Sequence, residues 1–248
     1  MNAYLKYRFL LFRKNKKVWI LQSVLGIIVF LFGMIPFLFE NSYEECLLEM
    51  VASSIAQAVP LFLCAVIPLI ITLDYERDTY QYVIATPYQR KEIANADMLF
   101  AVLYVLLCEI QVFVMSVIFG LIFEIHQNGI QQIPNIIFHT NYMKILYVII
   151  IDSFSLIVFA FVCVVVSNVI EQFKVAFVTL MLYKFISGIL DLFVWWYRKI
   201  SITDRFNLYN YFANHQKGIG TVVLLCSYGI IFYFLNRKII DGKDVIAK

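Results

Sequence analysis

The sequence predicts an all-α membrane protein with six transmembrane helices, and three observations carry that prediction. Hydrophobic residues make up 62% of the 248-residue chain and charged residues only 15%, against about 25% charged in an ordinary soluble domain. The mean hydropathy is +0.81. Six apolar runs, at residues 18–39, 51–73, 98–123, 145–169, 175–197 and 219–235, each approach or exceed the roughly 20 residues a helix needs to cross a hydrocarbon core of about 30 Å. In such a core only helices and closed barrels satisfy their own backbone polar groups. The segments between the runs are too short to form a separate core, so residues 1–248 read as one transmembrane domain.

The first seventeen residues carry Lys6, Arg8, Arg13, Lys14, Lys16 and Lys17. As a helix they place Leu5, Phe9 and Phe12 on one side and Lys6, Arg13 and Lys17 on an adjacent one, the pattern of an interfacial helix on anionic lipid. The alternative is a basic topology signal and nothing more. The first apolar run exceeds the 7–15 residues of a signal-peptide core and ends in Pro36, Phe37, Leu38 and Phe39 without an Ala-x-Ala site, which marks it as an anchor.

The first connection holds Glu40, Glu44, Glu45 and Glu49 and no basic residue, so the positive-inside rule places the N-terminus in the cytoplasm. Alternation then puts Arg77, Arg90, Lys91 and Lys174 inside, with the tail residues Arg237, Lys238, Lys243 and Lys248. The fifth connection dissents, with Arg198, Lys199, Arg205 and Lys217 on the outer side. It follows Trp195, Trp196 and Tyr197, so it reads as an aromatic belt leading into a segment that dips back toward the membrane.

The second connection carries the most specific pattern. Thr86 is an N-cap, Pro87 occupies N1, and Gln89 completes a Thr-x-x-Gln capping box, so a new helix starts there and continues through Lys91 and Ile93 into the third span. Tyr80, Val83 and Ile84 form an amphipathic turn ahead of it. The plain alternative is a solvated charged loop. With Glu76, Thr79, the stretch Val83 to Pro87, Arg90, Lys91 and Ile93 in this order, the chain resembles the permease subunits of type-2 ATP-binding-cassette (ABC) exporters. It departs from them in having Asp78 where that family has glycine.

The resemblance implies that the elbow acts as a coupling helix against a separate ABC ATPase subunit. The residues implied are Glu76, Thr79, Tyr80, Val83, Thr86, Pro87, Arg90 and Lys91. It implies a second permease copy or paralogue, and ATP and magnesium held by the ATPase. The small permeases without a large outer domain export, or confer immunity to, amphipathic antimicrobial and toxin peptides, and they sit in the bacterial plasma membrane. The chain itself contains no Gly-x4-Gly-Lys-Ser/Thr; its one Gly-Lys pair, Gly242 and Lys243, precedes Asp244. The expectation is therefore a non-enzymatic subunit without its own cofactor.

Glu109, Asp152, Lys184 and Asp191 fall inside spans, where an isolated charge costs at least about 2.5 kcal/mol. By helix rise the first three share the midplane, so Lys184 is expected to neutralise Asp152 or Glu109, either as a structural ion pair or as part of a route lined for charged cargo. A proton-coupled carrier using the same three residues is the competing function. His126, His139 and His215 show no metal-ligand spacing, and the cysteines show no CxxC. The small net charge of +3, spread by topology, argues against a nucleic-acid partner.

Overall fold

A computed structural model describes residues 3–39, 42–76, 90–129, 137–138, 140–206, 208 and 218–243. Among these there is no strand, and six helices are long and apolar enough to cross a membrane.

The N-terminal helix, Ala3–Lys14, stops at Asn15, whose side chain accepts the Lys17 N–H at 3.1 Å and starts span 1, Lys16–Phe39. Span 2 begins at Tyr43, eight residues before the apolar run. Ser42 is the N-cap, accepting the Glu45 N–H, and Glu44 and Glu45 occupy the first turn, where the helix dipole favours carboxylates. Two of the acidic residues that read as a loop, Glu44 and Glu45, are thus the first turn of the helix, and Glu49 follows within it. Span 2 runs as Tyr43–Ser53, a π-helical turn Ser54–Ala58, and Val59–Ile71. Pro60, just past the π-turn, has no N–H to continue the α ladder, which accounts for the irregularity. One more turn, Leu73–Glu76, follows.

Span 3, Arg90–Asn128, has 39 residues and so measures about 58 Å, nearly twice the hydrocarbon thickness. It starts eight residues ahead of the apolar run and ends at Gly129, whose φ of 82° is the left-handed conformation typical of a helix C-terminus. Span 4, Tyr142–Ile170, is capped by Asn141 and closes at Glu171, with φ 61°. Span 5, Phe173–Phe193, ends at extended Val194, short of the expected 197. Trp195–Arg198 is a separate turn. Span 6 is Gly218–Asp241.

Spans 2 and 4 form the centre, with 83% and 72% of their apolar windows buried, against 17% for spans 5 and 6. Span 1 packs on spans 2 and 3, span 5 on spans 2 and 4, and span 6 on spans 3 and 4. The described start of the fifth connection, residues 198–206, folds back on to the bundle. After a 3-10 turn at Thr203–Arg205, Phe206 packs edge-on against Phe159 of span 4 at 5.1 Å, and both rings are buried. Arg205 holds this fold-back by donating to the carbonyls of Arg198, Lys199 and Ser201.

The N-terminal helix lays its apolar side on the protein. Tyr4, Leu5 and Phe12 are buried inside the protein, and Phe9 and Phe12 meet Phe100 of span 3 at 5.7 and 6.2 Å. Lys6, Arg13 and Lys17 remain exposed. The apolar side has a protein surface to cover it, at the extended foot of span 3.

Candidate functional site

A buried polar cluster occupies the end of the bundle where residues from both chain ends meet. Arg8 is fully buried and lies between two aspartates, with its Nη1 2.9 Å from Asp74 and its Nε 2.8 Å from Asp97. Asp74 stands at the end of span 2 and Asp97 about 10 Å into span 3, so one guanidinium joins the two helices that flank residues 77–89. Arg8 also donates to the Ile70 carbonyl at 3.0 Å, and Tyr4 and Tyr7 donate their hydroxyls to Asp74. Burial opposes the Arg8 charge, but Asp97, Tyr4 and Asp74 hold its pKa well above the usual arginine value.

The cluster continues into spans 4 and 6. Asn168 of span 4 donates to Asn236 of span 6 at 2.9 Å and to Asp97 at 3.5 Å, and its carbonyl side accepts the Tyr75 hydroxyl at 3.0 Å. Lys243, just past span 6, reaches Glu171 at 2.7 Å, the Asn168 backbone carbonyl at 2.6 Å and the Tyr75 hydroxyl at 2.7 Å. Burial lowers the Lys243 pKa, and Glu171 restores only part of it. Low dielectric strengthens each of these bonds and makes each unpaired group costly, so the cluster acts as one unit.

The two described residues that border the elbow are tied to other spans. Glu76 accepts the backbone N–H of Phe173, at the start of span 5, at 2.9 Å. Arg90 donates to the backbone carbonyl of Asp241, at the end of span 6. Lys91 is exposed. Thr79, Tyr80, Val83, Thr86 and Pro87 lie outside the described residues.

The intramembrane charges divide into two places. Glu109 and its neighbourhood sit between spans 3 and 4, where Ser153 donates to Glu109 at 2.7 Å and Asp152 is buried alongside. Lys184 is not with them. Its ammonium donates to the Gln57 carbonyl, in the π-turn of span 2, at 3.2 Å, and no carboxylate among the described residues lies within 4.0 Å of it. The expected ion pair with Asp152 or Glu109 is thus absent. Equal depth along the helix axis says nothing about which way a side chain points around it. Asp191, further along span 5, accepts hydroxyls from Ser201 and Thr203 of the fold-back.

Neither protein-family models nor characterised proteins give a match to this chain. Its chemistry is therefore read from the geometry. Sequence reasoning missed Arg8, Asp74, Asp97, Asn168 and Lys243 as a group. The one signal available was that Arg8 occupies the same helix stripe as Tyr4 and Phe12, at spacings of four, where a solvated cation does not belong.

Proposed function

We propose that this chain is the membrane-spanning subunit of an ATP-driven exporter of the type-2 ABC class, working with separate ATPase subunits and a second permease copy. The observation that carries this reading is the double tie at the elbow's borders, Glu76 to the start of span 5 and Arg90 to the end of span 6. A force applied to residues 77–89 would reach spans 5 and 6 directly, and spans 2 and 3 through Arg8. Helix groups would then rock as rigid bodies, the form of movement that couples nucleotide binding to membrane helices. In this reading the clustered end faces the cytoplasm of a bacterial cell, ATP and magnesium belong to the ATPase, and the cargo is an amphipathic peptide.

Purification in mild detergent from the native host, followed by an ATPase assay, tests it. Co-purification of a P-loop protein with ATPase activity supports the reading. In that complex Glu76→Ala and Arg90→Ala should leave ATP hydrolysis in place and reduce transport. A chain that purifies alone, with no ATPase, would sink it. A proton-coupled carrier is the second reading, favoured by Glu109 lying buried inside the bundle on a Ser153 hydroxyl. Substrate-driven proton uptake in vesicles, lost in Glu109→Gln, would support it.

A further inference from the structure

Lys184 opens on to a groove about 480 Å³ in volume between span 5, the π-turn of span 2 and the fold-back of the fifth connection. This size falls in the range of small-ligand sites. The groove's flank is apolar and faces outward, with Phe185, Ile189 and Leu192 each more than half exposed, and Phe206 lies behind. Gly188 lines the same wall, and a Cβ there would meet no other atom within 4 Å.

Lys184 lies eleven residues into span 5, about 17 Å from its start and so near mid-membrane. An ammonium there costs at least about 2.5 kcal/mol without a counter-charge. One of its three protons is used by the Gln57 carbonyl. Of the two carboxylates at similar depth, Glu109 is held at the interface of spans 3 and 4 by Ser153, and Asp152 is buried on span 4; neither lies within 4.0 Å of Lys184. The acidic residues lie at the groove's far end, Asp191 about two turns beyond Lys184. Asp191 accepts from Ser201 and Thr203 and Asp204 pairs with Arg198, while one buried oxygen of each has no hydrogen-bond partner among the described residues. At the depth of Lys184 itself the unmet charge is positive, and it sits in an apolar surround open to the side.

We propose that this groove is a lateral binding site for an anionic amphiphile of the fatty-acid type, its carboxylate on Lys184 and its chain along Phe185, Ile189 and Leu192. The site goes beyond the exporter reading and stands on this chain alone, with or without an ATPase.

The test uses the full chain in phosphatidylcholine nanodiscs and a palmitate carrying a photoactivatable diazirine. Crosslinks are mapped by mass spectrometry, with oleate and oleyl alcohol as competitors. Crosslinks within 185–192 that oleate removes and oleyl alcohol does not are the expected result. Lys184→Met should weaken competition by about tenfold or more, the scale of a lost charge-assisted hydrogen bond, while Lys184→Arg retains it. Gly188→Leu should fill the groove and abolish labelling there. Equal competition by oleyl alcohol, or unchanged labelling in Lys184→Met, overturns the proposal. So does absence of labelling together with loss of chain dimers in Lys184→Met, which would place a second copy's carboxylate on Lys184.

Discussion

Arg8 is the residue on which one end of the molecule depends. A buried ion group of this kind adds little over a well-packed apolar one, but removing one member leaves the others charged and unmatched, at a cost of about 3–5 kcal/mol. Arg8→Leu is therefore expected to destabilise the chain strongly, because Asp74 and Asp97 would both keep their burial and lose their cation. Thermal unfolding in detergent measures this. The double variant Arg8→Leu with Asp97→Leu should recover part of the loss, and a double variant worse than Arg8→Leu alone would remove the counter-charge argument. Little of this was legible from residue types. Arg8 is one of six cations in the first seventeen residues, and topology rules treat all six alike. The stripe it shares with Tyr4 and Phe12 hints at the one that turns inward, and three-dimensional packing supplies its partners.

At the element scale, one side chain, Arg205, ties the backbone of the fold-back after span 5 together. Arg205→Met removes donors to three carbonyls, so hydrogen exchange of the amides in 199–206 should quicken by at least about tenfold, the scale of a lost hydrogen bond of 1.5–3 kcal/mol to a charged group. Unchanged exchange would mean that Phe206 packing alone holds the segment. The tie between span 6 and the span 4–5 turn has a pH signature. Lys243 faces Glu171, Tyr75 and Asp97, and burial keeps its folded pKa below the ordinary lysine value. The folded chain thus binds fewer protons there than the unfolded one between these two pKa values. Stability contributed by this site rises with pH through that window and falls below it. The difference in melting temperature between the wild type and Lys243→Met should follow that slope, and a flat difference would contradict it. The elements themselves were readable as hydropathy, since a 20-residue apolar run has few other physical meanings. Their ends were legible unevenly: the capping pattern at Thr86 already put Arg90 and Lys91 in the helix of span 3, whereas Glu44 and Glu45 look like loop residues until the Ser42 cap is in place.

For the whole molecule, the packing of spans 2 and 4 at the centre predicts how the five cysteines react. Cys46, Cys64, Cys108 and Cys163 are buried and Cys226 is exposed on span 6. A membrane-permeant maleimide should modify one site in the folded protein and five after denaturation in SDS, counted by intact mass. Early modification of Cys64 or Cys163 would contradict the arrangement of spans. The six-helix architecture was legible from the sequence, whereas the pairing of Lys184 was not. Depth along a helix follows from residue number, but azimuth around a helix without a strong amphipathic pattern is set by packing.

The Arg8 cluster also carries a consequence for the order of events during synthesis. Its two aspartates lie 66 and 89 residues after the arginine, so residues 3–14 meet the first of them only when span 2 is complete and the second only when span 3 has begun. Chains fold from the N-terminus as they emerge, yet here the N-terminal helix must wait. A nascent chain stalled before residue 97 should therefore leave residues 3–14 open to protease, and one stalled well beyond span 3 should protect them. Residues 3–14 would be among the last to settle, closing the bundle over helices inserted after them.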